Sequence, residues 1–268
     1  MCTERMPGVF PAKKKSGEIY YRASITYLGK HISLGSYSDI RQAHCAYKEA
    51  RTILNQIVLK VPDDYPDDST LSFQKWISLV NYYQNGIYIK NPIYLKKDFF
   101  IYYLSMEEPL MFDIDDLFYY SEHKIMKRNG HLFVSDYGMQ VTILSRYGIK
   151  NYSIAGKDYM FKNGNTHDFR YENIEVINPY NGVRKFSKNN QILYQSRIHV
   201  NGDYIIGTYT RPEEAAIAYN KAIDILKAAG SPKNYQPNYI DNMTGKEYAE
   251  IYSQLKVSPK LFYISYPK

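Results

Sequence analysis

Short runs of alternating apolar and polar residues give way to helical spacing at two places in this chain. Near the start, Val9–Lys14, Tyr20–Tyr27 and His31–Leu34 alternate well enough to predict three strands. Turns are expected at Ser16-Gly17 and at Leu28-Gly29-Lys30. Next, Ala43, Ala46, Tyr47, Ala50 and Leu54 fall at the spacing of one helix face. Ser38 is the expected N-cap of a helix from Asp39 to Gln56. Three more strands are predicted between Gly182 and Tyr209, with turns at Lys188–Gln191 and Asn201-Gly202. Thr210-Arg211-Pro212-Glu213 reads as a capping box with proline in the first turn. Ala215, Ala218, Tyr219, Ala222 and Leu226 repeat the stripe, and Gly230 then closes the helix. Alanine on that stripe allows a helix to lie close against a small sheet.

The intervening chain is less regular. Val61–Asp68 reads as an acidic linker. Helical pieces are expected around Leu71–Tyr83, with Trp76 in its core, and around Lys97–Leu104. A further helix is expected from Gly245 to Leu255. The division that follows is 1–58, 59–110, 111–180, 181–230 and 231–268. The class is α+β, with two small three-stranded antiparallel sheets each backed by one helix, and a mixed α/β module between them.

The two patterned regions are one motif written twice. Tyr21-Arg22-Ala23-Ser24-Ile25, Gly29, Leu34-Gly35-Ser36-Tyr37, Ala43, Ala46-Tyr47 and Ala50 make the first copy. Tyr194-Gln195-Ser196-Arg197-Ile198, Gly202, Ile206-Gly207-Thr208-Tyr209, Ala215, Ala218-Tyr219 and Ala222 make the second. From the Gly-x-Tyr onward the spacings are identical, and upstream they differ by one residue in a turn. Strand alternation places Tyr21, Ala23 and Ile25 toward the first helix. Lys14, Arg22, Ser24, Thr26 and Ser33 are left on the open face. In the second copy the open set is Arg184, Lys188, Gln195, Arg197 and His199. Such a face suits the major groove of a DNA duplex.

Charge sharpens the picture. The net charge is +7, with a sequence pI of about 9.0. Residues 8–55 carry a net +5 and residues 181–229 a net +3, while residues 60–135 carry a net −3. The positive charge therefore sits on the repeats. There are 30 tyrosines against 11 phenylalanines and 1 tryptophan, as an AT-rich genome or an interaction surface would give. The two cysteines, Cys2 and Cys45, provide neither a disulfide framework nor a metal pair, which fits a reducing cytoplasm. No apolar run approaches a membrane span. The expectation is an intracellular protein of a host cell.

At the repeated residues the chain resembles the APETALA/ethylene-response-factor DNA-binding domain. Gly-Val, Tyr-Arg-Ala-x-Ile, Gly-Lys, Leu-Gly-x-Tyr and Ala-x-x-Ala-Tyr-x-x-Ala carry the likeness, over residues 8–55 and 181–229. The resemblance implies strands docked in the major groove with a helix behind them. It also departs from the family. The strand-one arginines and sheet tryptophans would fall on Phe10, Ala12 and Lys14, and Ile205 replaces the strand-three tryptophan.

Mobile-element proteins pair this domain with HNH homing endonucleases, and the middle of the chain resembles such a module. Phe112-Asp113-Ile114-Asp115-Asp116-Leu117, Leu144-Ser145-Arg146-Tyr147, Asn163-Gly164-Asn165 and Asp168–Ile174 follow its order. The positions that should supply His, His and Asn hold Ser145, Phe161 and Phe169. A nuclease of this type needs a base and ligands for a divalent ion, and phenylalanine is neither. His167 and Asp168 alone do not make a metal site, and Tyr159 and Tyr171 lack the companions of a nucleophile. No catalytic residue, metal or cofactor is expected. Lys150, Lys162 and Arg170 are candidate phosphate contacts, as is the run Lys13-Lys14-Lys15.

The expected function is sequence-preferring binding of double-stranded DNA by a phage or mobile-element protein, a regulator or an accessory DNA-binding protein with a catalytically inactive HNH remnant. Two alternatives stand beside it. One is a phage inhibitor that binds a host protein or protein–nucleic-acid complex, and the other is an active homing-type nuclease.

Overall fold

The computed structural model describes residues 6–55, 60–151 and 153–266. Cys2 and the expected helix end at Gln56 lie outside the described residues. The protein is mixed α+β, and its described residues form four three-stranded antiparallel sheets, one two-stranded sheet and five α-helices. The chain divides into two compact units. One comprises Met1–Ile143 and Asn165–Asn173, the other Leu144–Gly164 and Ile174–Lys268. The stretch 111–180 contributes to both. Among the described residues no helix is long and apolar enough to cross a membrane.

The first unit opens with β1 (Val9–Lys13), β2 (Ile19–Tyr27) and β3 (Lys30–Tyr37), paired in that order. Leu28 and Gly29 both have positive φ and make a two-residue turn whose twist suits a hairpin. Helix α1 (Ile40–Ile53) packs behind the sheet through Ala43, Ala46, Ala50 and Ile53. Its N-cap is Asp39, not Ser38. The Asp39 carboxylate accepts from the backbone N of Arg41 at 2.8 Å and of Gln42 at 3.1 Å, satisfying two orphan donors together.

Residues 61–71 form a strap rather than a loose linker. The Glu49 carboxylate of α1 accepts from Ser69 Oγ and from the backbone N of Thr70 and Leu71. Burial pushes this carboxyl up, but those three donors outweigh it and hold it below the ordinary range. Tyr65 packs edge-on against Phe73 and Trp76. Helix α2 (Phe73–Asn85) then adds Trp76, Ile77, Leu79, Val80 and Tyr82 to the core shared with the first sheet.

The expected helix at Lys97–Leu104 is instead a strand. A second sheet joins β4 (Ile93–Leu95), β5 (Phe99–Tyr103) and β6 (Pro109–Asp113). The run Phe-Phe-Ile-Tyr-Tyr is aromatic and β-branched, which suits a pleated surface better than a helix. Met111 on β6 also pairs with Asp168, bringing residues 167–169 alongside. Helix α3 (Leu117–Glu122) leads to a third sheet of β7 (Met126–Arg128), β8 (His131–Asp136) and β9 (Met139–Thr142).

In the second unit, β10 (Tyr159–Phe161) and β11 (Ile174–Val176) form a short ribbon. The second copy follows as β12 (Val183–Lys188), β13 (Gln191–His199) and β14 (Asp203–Tyr209). Asn189 and Asn190, both at positive φ, turn β12 into β13. His199 pairs with Asp203, so three residues join β13 to β14 where two suffice in the first copy. The first copy has a further pair, Tyr27–Lys30. From the equivalent pairs Thr26–His31 and His199–Asp203, four residues close the first hairpin and three the second, which is the one-residue difference between the repeats.

Helix α4 (Pro212–Ala228) starts one residue later than the Thr210 capping box would require. Proline occupies the first helical position, where its missing N–H costs nothing, so Arg211 becomes the N-cap without a side-chain cap bond. A capping box is instead formed by Thr244 with Glu247, at the start of α5 (Gly245–Gln254). Helix α4 is apolar on two sides. Ala218, Tyr219, Ala222 and Leu226 join Ile198 and Ile206 of the sheet in one core. Ala216 and Ile217 pack with Ile240, Tyr248 and Ile251 of the C-terminal extension.

Buried amides tie this extension down. Asn220 Nδ2 donates to Asn238 O at 2.8 Å, and Asn238 N donates to Asn220 Oδ1 at 2.7 Å. Asn238 repeats the exchange with Asn181, whose backbone N donates to Asn238 Oδ1 at 2.6 Å. Asn220→Ala should leave two buried backbone groups unpaired and cost about 2–4 kcal/mol, read as a lower urea midpoint. An unchanged midpoint would remove the amide clamp from the stability of this unit.

The duplication extends to backbone detail. Both sheets carry a bulge at the same place, between Ala23 and Ser24 and between Ser196 and Arg197. Gly8 and Gly182 precede the first strand of each copy at φ +74° and +68°. Their carbonyls accept from Ser24 N at 3.0 Å and Arg197 N at 2.7 Å. A Cβ on either would strike the helix tyrosine, Tyr47 at 2.0 Å or Tyr219 at 2.4 Å. The glycine of each Gly-x-Tyr lies beneath the tyrosine hydroxyl two residues on. That hydroxyl then reaches out of the repeat: Tyr37 to Thr70 O at 3.3 Å, Tyr209 to Lys256 O at 2.8 Å.

Candidate nucleic-acid interface

Directly paired residues of an antiparallel sheet share a face, so the register fixes what each open face presents. In the second copy Arg184 pairs with Gln195, Lys188 with Gln191, Arg197 with Ile205 and His199 with Asp203. The five expected residues Arg184, Lys188, Gln195, Arg197 and His199 therefore stand together on one surface. Phe186, Leu193 and Ile205 share it, and Ile205 is 52% exposed. Phe186 and Leu193 escaped the sequence reading, although the strand-to-strand pairing would have found them. Apolar groups beside Arg and Gln can meet a thymine methyl in a major groove.

The side chains are held by their neighbours. Arg197 Nε donates to Gln195 Oε1 at 2.6 Å, which fixes both groups side by side. His199 Nδ1 lies 2.9 Å from Asp203 Oδ1, so this histidine faces a carboxylate across the hairpin. Arg184 and Lys188 are exposed.

The first open face differs. Arg22 lies across Tyr20, donating from Nη2 to its hydroxyl at 2.8 Å, with the guanidinium 5.5 Å from the ring centroid. Thr26 and Ser33 are exposed, and Thr26 Oγ1 lies 3.4 Å from His31 Nδ1. Ser24 corrects the expectation of an exposed residue, since it is only 8% exposed. Its small side chain sits on the central strand next to the bulge, between β1 and β3. Phe10, which pairs with Arg22, is 56% exposed. Lys14 forms an exposed ion pair with Glu18 at 2.8 Å. With Lys15, Ser36 and Ser38 it lines a cleft of about 420 Å³ at the end of this face.

The expected nuclease positions fall in different settings. Phe169 belongs to the first unit and is buried, stacked on Phe112 at 5.5 Å. Phe161, on β10, and Ser145, in the 3-10 turn Ile143–Tyr147, belong to the second. Asp168 is buried and gripped by Arg170, with Nε to Oδ1 at 2.9 Å and Nη2 to Oδ2 at 2.8 Å. That pairing pushes the Arg170 guanidinium further up and commits it within the fold. Burial pushes the Tyr159 hydroxyl up, away from the pKa of a nucleophile. Among the described residues no group of three or more His, Cys, Asp or Glu could hold a metal ion.

The register thus gathers Arg184, Lys188, Gln195, Arg197 and His199 on the open face of the second sheet. Comparison of the chain with protein-family models, with curated proteins and with solved structures gives no match.

Proposed function

We propose that this chain is a sequence-preferring double-stranded DNA-binding protein of the kind carried by phages and other mobile elements. The observation that carries this reading is the open face of the second sheet. Arg184, Lys188 and Arg197 stand there beside Gln195 and His199, and α4 packs against the opposite face. A three-stranded sheet of this kind enters a major groove, where Arg and Gln read base edges and Lys meets phosphate. The first sheet, with Arg22 held on Tyr20 and Lys14 and Lys15 at its end, adds a second contact on the same chain. Two contacts joined by one chain gain from effective concentration. The resemblance of both repeats to APETALA-type domains supports the reading. The central segment is a nuclease remnant without catalysis, supported by phenylalanine at two of its key positions and by the Asp168–Arg170 pair.

Selection from a random duplex library tests this reading. A consensus site is expected, and no enrichment above the unselected pool would overturn it. Arg197→Ala should cost about 1–3 kcal/mol at the consensus and relax one base position, whereas Lys188→Ala should weaken all duplexes alike. Identical behaviour of the two variants would refute the division of roles.

A protein partner is the second reading. Tyr239, Phe262 and Tyr263 of the C-terminal extension are 82%, 65% and 85% exposed. Capture of a host protein that persists after nuclease treatment, with no duplex selected, would favour it.

A further inference from the structure

Beside the first strand of the second sheet lies a cleft of about 270 Å³ within the second unit. Its cations are Lys150, Lys157, Arg184 and Arg197, and its acids Asp158 and Asp203. Both acids already have partners. Asp158 accepts from Asn178 Nδ2 at 3.0 Å and from Ile154 N at 2.8 Å, and Asp203 faces His199. The cations do not. Lys150 donates to the neutral amide oxygen of Asn238 at 3.1 Å, and Arg197 to that of Gln195. Among the described residues none of the four lies within ion-pair distance of a carboxylate. The cleft therefore holds four cations against two acids, with no direct ion pair between them. Its lining of charges and amides is unlike the mostly apolar pockets that take small organic ligands.

We propose that this cleft binds a phosphodiester group of the DNA backbone and so sets the position of the second sheet in the groove. The site rests on the DNA-binding reading above. Arg184 offers a planar fork suited to phosphate oxygens, and Lys150 and Lys157 point charges, while Arg197 at the rim stays with the base edge. The amide clamp of Asn238 with Asn181 and Asn220 fixes Lys150 in place before any ligand arrives. Burial pulls the Lys150 ammonium down to about 8. A lysine charges below its pKa, so its contact with phosphate is present below about pH 8 and fades above it. Of the other titratable groups facing the cleft, burial pushes Tyr180 up, so it stays neutral in this window.

The test measures duplex affinity against salt and against pH for the full chain, Lys150→Met and Lys157→Gln. Lys150→Met keeps the apolar stem, and exposed Lys157 can be changed without disturbing the core. Each variant should bind every duplex more weakly, with the log–log salt slope reduced by about 1. Lys150→Met should also flatten the loss of affinity between pH 7 and 9. Inorganic phosphate should shift the backbone amide signals of Asn181, Gly182 and Val183 in the wild type. Unchanged slopes in both variants, with no phosphate shift, would overturn the site and leave the DNA reading standing. Phosphate shifts without binding of any duplex would remove the duplex as the source of phosphate, and the DNA reading with it.

Discussion

Gly182→Ala is expected to remove about 2–5 kcal/mol from the stability of the second unit, the sum of a left-handed alanine and an overpacked contact. For a domain whose whole margin is about 5–15 kcal/mol, that is a large share. The physical cause is local and rigid. The new Cβ would lie 2.3 Å from Arg197 O and 2.4 Å from two ring carbons of Tyr219. Neither neighbour can swing aside, because Arg197 N is bonded back to Gly182 O and Tyr219 sits in the helix core. Chemical denaturation followed by far-UV circular dichroism measures the loss. Gly202→Ala is the control: its Cβ would meet nothing within 4 Å, so a change within about 0.5 kcal/mol is expected. Equal stability of the two variants would show that the Gly182–Tyr219 contact is not a constraint. Because the clash falls on the Arg197 backbone, Gly182→Ala should also lose sequence preference in whatever fraction stays folded.

The second large effect is on binding. Raising salt from 50 to 200 mM should weaken duplex affinity about 500-fold if about five phosphates are neutralised, since each releases condensed counterions. Arg184, Lys188, Lys14, Lys15 and Lys150 make that number reasonable. Fluorescence anisotropy with a labelled duplex reads the slope directly. A flat response would mean that the cationic faces do not meet phosphate, and the DNA reading would fall.

Much of the repeat was legible because its signals are local. Alternation, the turn residues and the alanine stripes each act within a few positions, and they placed six strands and both helices. Phe99–Tyr103 was misread because a short apolar run fits a helix or a strand equally well until its neighbours are known. The capping errors came from adjacent cap-type residues: Ser38 stands beside Asp39, and Pro212 decides the frame against Thr210. The strap at 61–71 looked like a linker because its anchor, Glu49, lies about twenty residues away in sequence. The same holds for the site. The open-face set followed from alternation, but alternation shows neither Ser24's burial nor the cationic cleft with its amide clamp at Asn181, Asn220 and Asn238. Amide pairs of that separation leave no periodic trace. Ala216 and Ile217 give α4 a second covered side that the alanine stripe alone does not mark.

The tyrosine that ends each Gly-x-Tyr has a consequence for how the copies could diverge. Its hydroxyl takes a main-chain carbonyl, from Thr70 in one copy and Lys256 in the other. Every amino acid carries that acceptor, so the partner segment is free to mutate without breaking the joint. The repeat thus behaves as a plug with a universal socket. After duplication each copy could accept an unrelated neighbour, a helix-led strap in one case and a C-terminal tail in the other. The sheet and its open face need not change when the attachment does.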